Sequence, residues 1–259
     1  MSQPSNKHLT ALIITYNEEK NIQELISNLN FVDDIIIIDS FSTDKTEQIA
    51  IKNSRVKLYK NTFLNYSDQR NFALQKSRNK WVIFLDADER VDENLKKEIL
   101  EIISDNQKDI AHYFNRKFHF NKKPVHFCGL QKDKNIRLFF NSENVFYKGY
   151  VHEKLQHNGK TNVLKNTLIH YSYENYHSYK IKMERYGILK AQEKFDKEKK
   201  SNIFLKYFHP TYTFFNKYIV RLGILDGKKG MILSYLMAYS VYIRYIQLEK
   251  LQNKKTETI

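Results

Sequence analysis

Cysteine, proline and glycine are all scarce. Cys128 is the single cysteine, so the chain forms no internal disulfide and no thiol-based zinc pair, and a reducing compartment suits it. Three prolines and seven glycines exclude collagen-like and Pro-rich linker architectures. Long apolar runs are missing too. The apolar segment Leu9–Ile14 is too short for the core of an export signal and no cleavage pattern follows it. The longest later stretch, Met231–Ile243, includes Ser234 and Ser240 and falls short of the ~18–20 residues that span a bilayer. A cytoplasmic protein without a transmembrane helix is the expectation. No Gly-x-Gly-x-x-Gly and no Gly-x-x-x-x-Gly-Lys-Ser/Thr follows the first apolar segment, which weighs against a dinucleotide fold and a P-loop.

What is present fits a folded protein of one large domain, or one domain with an appendage. Of 259 residues, 41% are hydrophobic and 28% charged, a composition that buries a core rather than staying disordered. The net charge of +14 is compatible with nucleic acid, an anionic membrane surface, anionic substrates or a merely solvated lysine-rich surface.

Hydrophobic period alternates over the first ~105 residues between short continuous runs and helical spacing. Leu9–Ile14, Ile35–Ile38, Val56–Tyr59 and Trp81–Leu85 predict strands. Between them lie helical segments: Asn21–Asn30, with Asn17 as a candidate N-cap; one ending at Ala50, with Asp44 and Glu47 as a capping-box pair; and Ser67–Gln75. After the fourth strand, Asp92 caps a helix carrying Leu95, Ile99, Ile102 and Ile103. This α/β alternation predicts a Rossmann-like, mostly parallel sheet flanked by helices. Beyond residue 110, β-like segments follow at His112–Phe120, Ile136–Phe140, Val145–Tyr150 and Val163–Tyr171. From Asn175 the chain reads as helical and basic. The expected organisation is one domain over 1–172, with a strand–helix half (1–110) and a β-rich half (111–172), followed by a basic, aromatic helical extension over 173–259.

Polar clusters recur at corresponding places. Thr15-Tyr-Asn-Glu18 follows the first strand, Asp39-Ser40 the second and Asp86-Ala-Asp88-Glu89 the fourth. In a parallel sheet all three lie at the carboxyl edge, where open α/β sheets bind ligands. Asp86 and Asp88 are two carboxylates on one turn. They suit a hard divalent cation such as Mg²⁺ or Mn²⁺, which takes oxygen ligands and neutralises a departing diphosphate; an isolated pair of this kind is more often a solvated turn. Asp39 reads as a helix cap or as an acceptor for a base N–H. Thr15 and Tyr16 can frame a base. Without a glycine cradle, a diphosphate needs metal and cations, and Arg70 is a candidate.

These clusters together resemble the family-2 inverting glycosyltransferases with the GT-A fold. The resemblance rests on Ile13-Ile-Thr-Tyr-Asn-Glu18, Ile37-Ile-Asp-Ser40 with Thr43-Asp-Lys-Thr46, Gln69-Arg-Asn-Phe-Ala-Leu74 and Val82-Ile-Phe-Leu-Asp-Ala-Asp-Glu89. It extends more loosely through Gly149-Tyr-Val-His-Glu-Lys-Leu155 and Leu225-Asp-Gly-Lys-Lys-Gly230, which resemble a bacterial branch that includes lipopolysaccharide-core β-glucosyltransferases. The resemblance implies that Thr15, Tyr16 and Glu18 line the nucleoside site, that Asp39 contacts the base, and that Asp86 lies by the ribose and metal with Asp88 as the main metal ligand. It implies a UDP-sugar donor and a glycan or lipid-linked acceptor. It also implies a catalytic base C-terminal to Asp-x-Asp, best matched by Glu153, with His152 as an alternative base or metal ligand.

The aromatic tail admits two readings. Met231–Ile243, flanked by Lys228, Lys229, Arg244 and Lys250, is either an interfacial membrane helix, placing the protein peripherally on the inner face of the membrane, or a helix packed on the catalytic domain. Two other classes compete. A nucleotidyltransferase shares paired carboxylates but carries a glycine-rich loop that Thr15–Glu18 is not. A nucleic-acid-binding module is not expected, because no RRM, zinc-finger or zipper pattern accompanies the basic charge.

Overall fold

The computed structural model describes residues 8–105, 110–121, 123–130, 133–149, 153–173 and 175–257. The chain forms two compact units, Met1–Arg116 with Lys134–His170, and Lys117–Asp133 with Tyr171–Ile259. Residues 117–133 therefore belong with the helical unit, where the sequence suggested a single cut near residue 172.

The first unit opens with β1 (Leu9–Thr15), α1 (Ile22–Asn28), β2 (Asp34–Asp39), α2 (Thr46–Ala50), β3 (Val56–Lys60), α3 (Tyr66–Lys76), β4 (Trp81–Asp86), the short β5 (Glu89–Arg90) and α4 (Glu93–Ser104). It continues with β6 (Ile110–Phe120), β7 (Lys123–Pro124), β8 (Lys134–Phe140), β9 (Phe146–Lys148), β10 (Lys154–Gln156) and β11 (Lys160–Tyr173); β7 and the far ends of β6 and β11 fall in the second unit. The main sheet runs β3-β2-β1-β4-β8-β6-β11-β5, and β9 and β10 form a separate hairpin. β3, β2, β1 and β4 are mutually parallel, and β8 joins β4 antiparallel.

The apolar runs split by parity, because successive strand side chains point to opposite faces. Ile35 and Ile37 join Leu9, Ala11, Ile13, Ile83 and Leu85 against α1 and α4. Ile36 and Ile38 join Leu12, Val82 and Phe84 against α3, with Tyr147 and Leu155 closing the same face. Every residue of Ile35–Ile38 is buried, as a strand covered on both faces requires.

Two capping expectations need correction. Asn17 does not cap α1; it sits at φ 56, and its side chain accepts from Thr43 N. The helix begins after Asn21. Asp44 makes no capping box with Glu47; Lys45 holds the cap position of α2, and the Asp44 carboxylate takes Thr46 N and Glu19 N instead. Asp92 caps α4 as expected, accepting from Leu95 N at 2.8 Å.

The second unit contains α5 (Tyr176–Asp196), α6 (Ile203–Phe215) and α7 (Lys228–Glu257). The tail is not one continuous helix. A π-helical turn (Asn216–Val220) and a 3₁₀ turn (Gly223–Asp226) separate α6 from α7. Leu222 at φ 57 and Gly227 at φ 60 break the helical path. Within Met231–Ile243, Leu233, Ser234, Leu236, Ala238, Ser240 and Val241 are buried. That stretch of α7 packs within the second unit, with Met231 and Tyr235 left exposed. Gly187 of α5 faces Ser240 O of α7 so closely that a Cβ there would lie 2.7 Å from it. Among the described residues no helix is long and apolar enough to cross a membrane.

Candidate active site at the carboxyl edge of the parallel strands

Strand register brings the predicted clusters to one edge. Thr15 pairs with Asp39 across β1 and β2, and Ile14 pairs with Asp86 across β1 and β4. Asp39 and Asp86 therefore end the two strands that flank β1, roughly 10 Å apart by strand spacing.

Asp39 is fully buried. Its Oδ1 accepts from Thr15 Oγ1 at 2.9 Å and Ser42 Oγ at 2.6 Å, and its Oδ2 accepts from Ser42 N at 2.7 Å. Oδ1 holds two donors and Oδ2 one, which leaves Oδ2 an acceptor position for a further donor. Further bonds lace the loops after β1 and β2 together, from Asn17 N to Ser42 Oγ and from Glu18 N to Thr46 Oγ1, each at 2.8 Å. Glu18 also accepts from Asn21 Nδ2 at the start of α1. Tyr16, beside them, is exposed.

Beside β4 lies a chain of alternating charges. Arg70, buried on α3, donates from Nη2 to Asp86 Oδ1 at 2.8 Å and from Nε to Glu153 Oε1 at 2.9 Å. Its guanidinium lies 4.3 Å from the Phe84 ring centre and 5.5 Å from that of Tyr147. Arg137 donates to Asp86 Oδ2 and to Glu89 Oε1, and Arg116 reaches the same Glu89 oxygen at 3.4 Å. Glu89 Oε2 accepts from Asp86 N at 3.0 Å, which shapes the Asp-x-Asp turn. The network runs Glu153–Arg70–Asp86–Arg137–Glu89–Arg116, and its charges balance one for one.

Burial alone would raise the Asp86 carboxyl, but Arg137 and Arg70 beside it overcome this and hold it well below the usual carboxylate range. Burial likewise lifts the Tyr147 phenol to about 12. Arg70 Nη1, Arg137 Nε and the Tyr147 hydroxyl are buried without a hydrogen-bond partner among the described residues. Unspent donors of this kind are costly unless something else satisfies them.

Asp88, two residues further along the turn, meets a histidine. Its Oδ1 lies 3.3 Å from His170 Nε2, brought there by the antiparallel pairing of β5 with β11, in which His170 faces Glu89. Asp86 and Asp88 offer the oxygen donors a hard cation takes. Two guanidiniums already hold both Asp86 oxygens. Among the described residues no group of three or more His, Cys, Asp or Glu side chains is arranged to hold a metal. His152, the expected third ligand or alternative base, lies outside the described residues, while Glu153 is described and held by Arg70.

α3 also anchors the segment leading to Glu153. Asn71 exchanges two hydrogen bonds with the Tyr147 backbone, and Ser67 Oγ donates to Gly149 O. The sequence reading missed Arg137, Arg116 and His170, and named Glu89 only as part of the cluster after the fourth strand. A signal for the first was present: Arg137 interrupts the apolar run Ile136–Phe140, and a charge inside a buried strand needs partners.

A parallel sheet with paired carboxylates at its carboxyl edge, followed by an antiparallel extension, defines the GT-A class of α/β transferase. The profile of glycosyl transferase family 2 matches residues 10–162, more than half of the chain, and the protein belongs to that family of glycosyltransferases. An uncharacterized glycosyltransferase of Rickettsia conorii is 27% identical over 271 residues, covering 100% of this chain and 96% of that protein. The lipopolysaccharide core biosynthesis glycosyltransferase LpsC of Rhizobium meliloti is 23% identical, covering 92% and 93%. Among solved structures, Staphylococcus aureus TarS 1–349 in complex with UDP-GlcNAc aligns over 96% of this chain and 92% of that one, with 15% identity and a TM-score of 0.48.

Proposed function

We propose that the protein transfers a sugar from a nucleotide diphosphate sugar, a UDP-sugar by the family resemblance, to an acceptor hydroxyl with inversion at the anomeric carbon. The observation that carries this reading is the Arg70 bridge between Asp86 and Glu153. It links the Asp-x-Asp turn to the carboxylate nominated as base through one buried guanidinium.

Tyr16, Thr15 and Glu18 would line the nucleoside, on loops whose geometry Asp39 sets. Arg70 Nη1 would donate to a phosphate oxygen. Mg²⁺ or Mn²⁺, held by Asp88 with Asp86 beside it and with His152 as a possible further ligand by the resemblance, would neutralise the leaving diphosphate. Glu153 would take the acceptor hydroxyl's proton as the oxygen attacks the anomeric carbon from the side opposite the diphosphate. The new C–O bond forms as the sugar–phosphate bond breaks, and the bonding pair leaves with the nucleoside diphosphate. The two lipopolysaccharide resemblances, in the sequence motifs and in LpsC, support a cell-surface glycan or lipid-linked acceptor.

A panel of nucleotide sugars, screened for thermal stabilisation with and without Mn²⁺, tests the donor; a ligand that binds only the native state raises the melting temperature. Release of UDP is the expected product. Release of pyrophosphate would replace this reading with nucleotidyl transfer.

A further inference from the structure

From the exposed aromatic face of α6 we infer that the second unit docks onto an anionic phospholipid surface, through α6 and the turns that follow rather than through α7. This does not rest on the transferase reading.

No residue of α6 is buried. Its inner side meets α7 through polar and mixed contacts: His209 Nδ1 with the Tyr245 hydroxyl at 2.9 Å, Lys206 with Glu249 at 2.7 Å, and Leu205 against Val241 and Leu248. The outer side carries Phe204, Phe208, Tyr212, Phe215 and Ile219 at helical spacing, with exposures of 62%, 54%, 55%, 52% and 54%. Phe204 stacks on Phe208, and Phe208 on Tyr212, so these rings form one continuous ladder. Val220, Leu222, Ile224 and Leu225 extend the exposed apolar surface through the two turns. Isolated surface apolar residues need no explanation, but a contiguous set of this length marks an interaction site.

Charge selects the occupant. Residues 199–225 contain no Asp or Glu. The first acid, Asp226, is turned inward to accept from His126 N and Phe127 N. Exposed cations flank the stretch: Lys199 and Lys200 before it, Arg221 within it and Lys228 after it. Rings between an apolar layer and water, bordered by cations and free of acids, match the headgroup region of an anionic leaflet. A second copy of this chain fits worse, because a twofold contact would set cations against cations with no acid to answer them.

The test is cosedimentation of the full chain with vesicles of phosphatidylethanolamine and phosphatidylglycerol, against neutral phosphatidylcholine vesicles. The wild type is expected to pellet with the anionic vesicles and to stay largely soluble with the neutral ones. The triple variant Phe204→Asn/Phe208→Asn/Phe215→Asn should bind the anionic vesicles on the order of tenfold more weakly, with its circular dichroism and melting temperature retained because these rings support no core. Arg221→Gln/Lys228→Gln should reduce anionic binding while the melting temperature stays put. A wild type that ignores anionic vesicles, or a folded triple variant that pellets like the wild type, overturns the proposal. So does light scattering that shows a dimer dissociated by the triple substitution, which would make this face a contact between copies.

Discussion

Arg70 and Glu153, 83 residues apart in sequence, meet at 2.9 Å, and the same guanidinium holds Asp86. A residue on α3 thereby fixes a carboxylate from the loop before β10. Glu153→Gln keeps an oxygen for Arg70 but cannot take a proton. We expect the turnover rate to fall by roughly 10²–10⁴-fold, with nucleotide-sugar affinity nearly unchanged and a lowered melting temperature, because Arg70 loses one of its two counter-charges. Near-normal turnover of this variant would remove Glu153 from the chemistry.

Arg137 carries a structural load. It joins Asp86 to Glu89, both beside β4, and Glu89 is wholly buried. Arg137→Met leaves these carboxylates short of a cation. The expected loss of unfolding free energy is about 3–5 kcal/mol, read by urea denaturation. A loss under about 1 kcal/mol would show that Arg116 and Arg70 suffice.

The Asp86 carboxyl titrates well below its usual value, because Arg137 and Arg70 outweigh the effect of burial. A carboxylate depressed in the folded state contributes stability above its unfolded pKa, about 3.9, and that contribution is lost as pH falls through the folded value. The melting temperature should be insensitive to this group between neutral pH and about pH 5, then drop below about pH 4. A melting temperature steady down to pH 3 would contradict the assignment.

Gly230, at the start of α7, lies against Gly223. A Cβ on Gly230 would sit 1.7 Å from Gly223 O, which no side-chain adjustment relieves. Gly230→Ala should cost about 3 kcal/mol or more, the upper end for overpacking, and lower the yield of folded protein. Gly227→Ala meets no neighbouring atom, and strain at its φ of 60 is its only penalty. Comparing the two by thermal denaturation separates crowding from backbone strain.

Cys128 is buried in the second unit among Phe118, Tyr179 and Leu233, and burial raises its thiol above the usual value. The thiolate is the reactive form. Ellman's reagent should leave the native protein unmodified over hours and react with it promptly in guanidinium. Rapid reaction of the folded chain would mean that this core opens.

The parallel half of the fold was legible because strands buried on both faces leave unbroken apolar runs, and because polar residues immediately after such runs reach the same edge. Thr15 and Asp39 were singled out separately, and register makes them partners. Of the long-range partners only Arg137 left a trace, as a charge inside an apolar run. Arg116, Arg137 and His170 come from β6, β8 and β11, and only the sheet order brings them to the Asp-x-Asp turn. The tail misled for a different reason. Met231–Ile243 is the most apolar stretch, yet most of its residues are buried within the second unit, and a longer run of exposed rings lies on α6.

The run Ile35–Ile38 has a further consequence. Its four side chains are interchangeable as chemistry but not as a count. Swapping one aliphatic residue for another would disturb packing modestly, whereas a single-residue insertion would turn Asp39 to the wrong side, strip Thr15 and Ser42 of their shared acceptor and unfasten both loops at once. This strand is therefore free in spelling and fixed in length.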